Sequence, residues 1–213
     1  MASGLDQLAD IAVGTGPLLI ILVGPNGAGK TTLYEQRLRG LPLPFINADS
    51  IARALYESGA PTGDETERLA AQLAEQRRQD LISRKESFIT ETVFSDPVGA
   101  KVAALKAAQA AGYLIVLLFV CVTSAELSAL RVQTRVLAGG HDVPPDRIAP
   151  RYERMRKNVR AALAFVDYAI LLDNSALDHP LRPVAVVSHG RIVEHATSLP
   201  WWAAEVLSGL SGR

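Results

Sequence analysis

The chain has a single cysteine, Cys121, so no internal disulfide can form. It lies in an apolar run and reads as a packed core thiol suited to a reducing compartment, not as a nucleophile. Net charge is also missing: 22 Lys and Arg balance 22 Asp and Glu. That balance argues against broad binding to nucleic acid or to an anionic membrane surface. The four histidines are scattered and fit no metal-ligand spacing. The first sixteen residues carry Asp6 and Asp10 but no Lys or Arg, unlike a secretory signal. The apolar runs Leu18 to Val23 and Leu114 to Val122 are too short to span a bilayer. The sequence holds no internal repeat and no low-complexity linker. The expectation is a cytoplasmic protein with neither a nucleic-acid nor a membrane partner.

What the chain does have is core-forming material, 48% hydrophobic residues in a length of 213, enough for one α/β domain. It also has Gly24-Pro25-Asn26-Gly27-Ala28-Gly29-Lys30-Thr31-Thr32, which fits the phosphate-binding P-loop pattern G-x-x-x-x-G-K-[ST]. Leu18 to Val23 supplies the preceding strand, and Thr31 to Leu38 can continue as a helix. Glycines let the backbone curl so that successive N–H groups face phosphate oxygens. The helix N-terminus adds the positive end of its dipole. In this pattern Lys30 reaches the β- and γ-phosphates and the Thr31 hydroxyl holds Mg²⁺.

Strand and helix signals alternate along the rest of the chain. Phe45 to Asn47 reads as a short strand, followed by a helix from Ser50 to about Glu57. Thr62-x-x-Glu65 resembles a capping box and opens a long polar helix to about Arg84, with a thin apolar stripe at Leu69, Leu73 and Leu81. Phe88 to Thr92 is a strand. Asp96-Pro97 looks like a helix start, and that helix stops at Gly112. Tyr113 to Val122 is the strongest strand, and Thr123-x-x-Glu126 is a second capping-box pattern. A helix to about Leu137, a loop at Gly139-Gly140-His141 and a helix from Asp146 to Phe165 follow, with Pro150 near the last one's start. Tyr168 to Leu172 is a strand, and the tail reads as a hairpin and a closing helix that docks Trp201 or Trp202. The pattern predicts a mostly parallel sheet covered on both faces, with ligands at the C-terminal strand ends. The expected unit is one domain over 1–213, with a helical lid at about 124–163 and a C-terminal hairpin and helix at about 183–208.

Three features offer chemistry beside the P-loop. Asp49 follows a short strand nineteen residues after Lys30. It can take a proton from a substrate hydroxyl during phosphate transfer, or it can simply cap the next helix. Glu91 ends the following strand and can bind substrate hydroxyls or hold the Mg²⁺ shell through water. Arg131 and Arg135 share one helix face, and Arg147, Arg151, Arg154 and Asn158 form a stripe on the next helix. Such arginines either close over a nucleotide and stabilise transfer charge or form a solvated face. His141 reads as a loop hydrogen-bonder. Asp173 and Asn174 either approach the base or make a plain turn.

In order, the P-loop, Asn47-Ala48-Asp49-Ser50-Ile51-Ala52, Phe88 to Ser95, Arg131-Val132-x-x-Arg135 through Gly139-Gly140-His141, Arg151-Tyr152-x-Arg154, Asn158 and Asp173-Asn174-Ser175 resemble the zeta-toxin family of P-loop kinases. The resemblance spans 18–175. It implies a P-loop kinase-type three-layer α/β sandwich with a helical lid, using ATP and Mg²⁺ to phosphorylate a small-molecule hydroxyl. Characterised zeta toxins act on the sugar 3′-hydroxyl of UDP-N-acetylglucosamine and are held inactive by a small helical antitoxin. By match, Lys30, Asp49, Arg135 and Arg151 are catalytic, with Asp49 the general base. Gly24, Pro25, Asn26, Gly27, Ala28, Gly29, Lys30, Thr31, Thr32, Arg131 and Arg154 bind ATP. Asp49, Glu91 and Thr92 contact the substrate, and Thr31 the metal. Pro150 stands where many relatives carry arginine, and Thr92-Val93-Phe94 replaces the commoner Thr-Thr-Leu. The alternatives are a metabolic or antibiotic-resistance kinase of the same fold, and a slow ATPase acting as a nucleotide-gated binding module.

Overall fold

The computed structural model describes residues 16–137 and 145–212. The Gly139-Gly140-His141 loop, and all but the last residue of the N-terminal arm expected over 1–16, lie outside the described residues. So do the side chains of Arg135 and Arg147.

The uniform apolar runs become the centre of the sheet. β1 (Leu18–Val23) is buried at every position, and β4 (Leu114–Cys121) at all but its first. Alternate side chains leave a strand on opposite faces, so unbroken burial means that both faces of the sheet are covered. The other parallel strands are β2 (Phe45–Ile46), β3 (Phe88–Thr92) and β5 (Tyr168–Asp173). β6 (Arg182–Ser188) and β7 (Arg191–His195) form the expected hairpin, and β8 (Ser211–Gly212) closes the sheet edge. Among the described residues the order is β2-β3-β1-β4-β5-β6-β7-β8. β2 to β5 run parallel with β1, while β6 is antiparallel to both β5 and β7.

This order aligns the strand ends. Val23 pairs with Thr92 on one side and Phe119 on the other, Ile46 with Thr90, and Cys121 with Asp173. The segments after β1, β2, β3 and β5 therefore emerge on one edge of the sheet, where open α/β sheets bind ligands.

The helices are α1 (Lys30–Leu33, continued by a π-helical turn, Tyr34–Leu38), α2 (Ala48–Glu57), α3 (Asp64–Arg84), α4 (Ala100–Ala110), α5 (Ala125–Leu137), α6 (Pro145–Leu163) and α7 (Trp201–Leu207). Of the two tryptophans Trp202 is the docked one, fully buried with its ring edge-on to Phe119 at 5.2 Å. α5 packs on α6 through Val132 and Ile148. From Tyr152 onward α6 contributes Met155, Val159 and Leu163 to the main core, so that the last turns of the stretch expected as a lid pack into the body.

Several helix starts differ from the sequence reading. Gly63, not Thr62, is the N-cap of α3, and no side chain caps it. α4 starts after Gly99 instead of at Pro97, yet the Asp96 carboxylate still accepts from the Ala100 and Lys101 N–H groups. At α5 it is Ser124 Oγ, not Thr123, that accepts from the Leu127 N–H. Nor does Asp49 cap α2. The cap is Asn47, whose Oδ1 accepts from the Asp49 and Ser50 N–H groups. In α3 the buried line is Thr66, Ala70 and Ala74, while Leu69 is exposed.

Candidate active site

The P-loop is shaped by what holds its carbonyls. Ser128 Oγ donates to Asn26 O at 2.6 Å, and Asn174 Nδ2 donates to Ala28 O at 2.7 Å. A trans peptide is planar, so a carbonyl tied on one side sends the following N–H to the other. The Gly27 and Gly29 N–H groups therefore point away from Ser128 and Asn174. Glycine is needed here for space and for torsion. A Cβ on Gly24 would meet Val120 O at 2.0 Å, and one on Gly29, at φ +95°, would meet Asn174 Nδ2 at 2.5 Å.

Lys30 is buried, and its Nζ donates to Gly24 O and Pro25 O at 3.0 Å each. It also lies 3.7 Å from Glu91 Oε1, on the end of β3. The Thr31 hydroxyl donates to Glu91 Oε2 at 3.1 Å, and Asn47 Nδ2 donates to the same oxygen at 2.9 Å. Asn47 thus does two jobs. One end of its amide starts α2 and so sets Asp49, while the other end holds Glu91. The sequence reading missed this residue as a positioning group, although Asn two places before Asp49 at a strand end is as good an N-cap signal as Asp.

Asp49 occupies the first turn of α2 and is exposed to a groove of about 1000 Å³. The same groove is lined by Lys30, Thr31, Glu91, Thr92 and the arginines Arg131, Arg151 and Arg154. The structure thus brings together the candidates from five segments of sequence. Arg151 and Arg154 of α6 line the groove, and the helix is tied to the β3–α4 connection: Arg154 Nε donates to Ser95 O at 3.0 Å, and Asn158 Nδ2 to Phe94 O at 3.0 Å. Arg131 is tied to the loop after β5, its two Nη groups donating to Asn174 O at 2.6 Å and Ser175 O at 3.2 Å.

Thr92 is partly committed. Its hydroxyl accepts from the Phe94 N–H and from Lys101 Nζ. Phe94 is fully buried and sits at φ +63°, a costly conformation for a non-glycine residue. The altered Val93-Phe94 stretch therefore places its aromatic ring in the core and leaves Val93 at the groove. Cys121 is buried as expected; burial pushes its thiol up to about 12, which removes it from chemistry at neutral pH.

The donor set fits Mg²⁺. Thr31 and Glu91 offer hard oxygens, and this ion commonly takes one or two protein ligands, the rest being phosphate oxygens and water. Among the described residues no group of three His, Cys, Asp or Glu forms a metal cage. No helix among them is long and apolar enough to cross a membrane.

Residues 19–162 match the model of the AAA domain family. The chain belongs to the AAA domain family. Its P-loop is the nucleotide-binding element of that family, and no curated protein matches the sequence. Among solved structures, the PezAT chromosomal toxin–antitoxin system of the human pathogen Streptococcus pneumoniae is 21% identical. That match covers 98% of this chain and 85% of that one, with a TM-score of 0.58. The AvrRxo1-ORF1:AvrRxo1-ORF2 structure with sulphate ions is 18% identical over 97% of this chain and 71% of that one, with a TM-score of 0.58. Its form with ATP matches with the same values. The P-loop domain read from the sequence is borne out by the family match, and the α/β fold implied by the resemblance to zeta-toxin-type kinases by these structures.

One consequence concerns a residue with no direct contact to phosphate. Asn174 holds the P-loop through Ala28 and accepts from the Leu181 N–H at 3.0 Å. Asn174→Ala removes both bonds. ATP affinity, measured by calorimetry, should fall about tenfold, in line with one or two hydrogen bonds of ~1 kcal/mol each. Unchanged affinity would mean that the loop keeps its shape unaided.

Proposed function

We propose that the protein is an ATP- and Mg²⁺-dependent kinase that transfers the γ-phosphate to a hydroxyl of a small molecule. The observation that carries this reading is the convergence of Lys30, Thr31, Asp49 and Glu91 on one groove. A mere nucleotide switch has no use for a carboxylate beside the γ-phosphate position. In transfer, the acceptor oxygen forms a bond to the γ-phosphorus, the bond to the β–γ bridging oxygen breaks, and ADP leaves. Asp49 takes the acceptor's proton. Lys30 holds the β- and γ-phosphates, and Arg151, with Arg135, stabilises charge on the transferred group. Arg131 and Arg154 border the nucleotide. Mg²⁺, when bound, neutralises phosphate charge and sets the phosphates in line.

Of the two roles open to Glu91, its contacts with Thr31 and Lys30 favour the metal shell. Glu91→Gln keeps the size and loses the charge. The magnesium concentration for half-maximal rate should then rise roughly 10–100-fold, as for lost supports of a metal site. A magnesium titration identical to that of the unaltered chain would return Glu91 to the substrate.

The acceptor we favour is a nucleotide sugar, first of all UDP-N-acetylglucosamine, with Thr92 on its wall. Residues 1–213 are read as one domain with a helical lid within about 124–163 and a C-terminal hairpin and helix at about 183–208. A small helical antitoxin is the expected partner, and a need for ATP fits the cytoplasm. The test is incubation with Mg-ATP and UDP-N-acetylglucosamine, followed by mass spectrometry for a gain of one phosphate. Transfer to an unrelated alcohol alone would make it a metabolic or resistance kinase. Slow ATP hydrolysis with no acceptor would make it a nucleotide-gated binding module.

A further inference from the structure

A second concentration of positive charge lines the same groove. Arg78 comes from the polar helix α3 and Lys101 from the first turn of α4, and both join Arg151 and Arg154 of α6. These side chains are positioned, not splayed into solvent. The Arg78 guanidinium donates to Glu75 at 2.7 Å and to Thr90 Oγ1 at 3.4 Å. Lys101 Nζ donates to the Thr92 hydroxyl, next to Glu91. Burial presses the Lys101 ammonium below its usual range, and the charge of Arg78 adds to this, as does that of Arg151; Asp96 and Glu75 oppose it. The cations are therefore close enough to repel one another.

The carboxylates at this end are Glu75 and Asp96, both engaged, Glu75 by Arg78 and Asp96 by the start of α4. The Lys101 ammonium spends one of its three N–H groups on Thr92, and the Arg78 guanidinium spends only part of its five on Glu75 and Thr90, so both cations keep donors suited to a phosphate dianion or a diphosphate. α3 joins this end to the rest of the groove. Asp64, Arg68, Ala71, Glu75 and Arg78 recur every three or four residues on it, with Glu67 beside Arg68, and all line the groove. The wall offers hydrogen-bonding groups along its length, with a cationic end.

We infer that Arg78 and Lys101 form an oxyanion subsite that holds a phosphate group of the acceptor, and so select phosphorylated alcohols over neutral ones. That the anion belongs to the acceptor rests on the kinase reading; that the subsite binds a phosphate does not.

Two measurements separate these. The first is calorimetric titration of pyrophosphate into protein saturated with Mg²⁺ and a non-hydrolysable ATP analogue, so that the P-loop is taken. One pyrophosphate per chain should bind. Affinity should fall roughly tenfold or more in Arg78→Gln and in Lys101→Gln, the loss of one hydrogen bond to a charged group. Arg78→Lys, which keeps the charge, should retain part of it, and thermal melts verify that each variant is folded. The second is the transfer assay: the KM for UDP-N-acetylglucosamine rises by a similar factor in both Gln variants while the KM for ATP stays put. No saturable pyrophosphate binding, binding indifferent to both variants, or malonate binding as tightly as pyrophosphate would overturn the phosphate subsite. Intact, variant-sensitive pyrophosphate binding without transfer to any acceptor would uphold the subsite and overturn the kinase reading.

Discussion

Asp49→Asn slows phosphate transfer at least ~10²-fold, the low end for loss of a general base, while melting and ATP binding stay near those of the unaltered chain. The structure makes this a cleaner experiment than the sequence alone allowed. Had Asp49 been the cap of α2, its replacement would have mixed stability with chemistry. The cap is Asn47, and Asp49 offers only its backbone N–H to it. Its side chain is exposed to the groove. A carboxylate in the first turn of an exposed helix contributes only about a few tenths of a kcal/mol through the dipole. Asparagine keeps the shape and loses the proton acceptor. The decisive data are single-turnover transfer rates beside a thermal melt and an ATP titration. A variant that melts normally and transfers at the original rate would leave Asp49 without a chemical role.

The sequence carried the sheet well because its signal there is redundant. Leu18–Val23 and Leu114–Cys121 are apolar throughout, and the glycine-rich loop between strand and helix admits few alternatives. Helix starts were less legible. The spacings at Thr62, Asp96 and Thr123 are satisfied by many segments, and which residue caps depends on how the chain arrives. At α3 and α4 it arrives through Gly63 and Gly99, both at positive φ. The groove was half visible. Lys30, Asp49 and Glu91 follow strands whose ends a parallel sheet must align. Arg78 and Lys101 gave no such cue. A polar face on a long helix usually faces solvent, and only the packing of α3 against α2 and β2 turns it towards the groove. The pairing of Asn47 with Glu91 crosses 44 residues and two strands, so neither residue type nor local spacing announces it.

Lys30→Met is the other large effect. Turnover should fall roughly 10²–10³-fold, the usual cost of removing one group that stabilises charge developing in a transition state. Methionine keeps most of the buried stem, so the lost element is the ammonium. That ammonium also has structural contacts, donating to Gly24 O and Pro25 O and lying 3.7 Å from Glu91. Its removal leaves a buried carboxylate with hydrogen bonds from Thr31 and Asn47 but without its cation. A destabilisation of about 1–3 kcal/mol is expected, or roughly 2–10 °C in melting temperature for a chain of this size. Lost activity alone would therefore be ambiguous. Adding Glu91→Gln resolves it, because the uncompensated charge disappears with the carboxylate. The double variant should melt above Lys30→Met yet remain as inactive, since residues of one catalytic unit are not additive. If Lys30→Met keeps turnover within about threefold, half a kcal/mol or so of barrier, Lys30 does not act on the γ-phosphate. If the double variant recovers both stability and turnover, its role is only to neutralise Glu91.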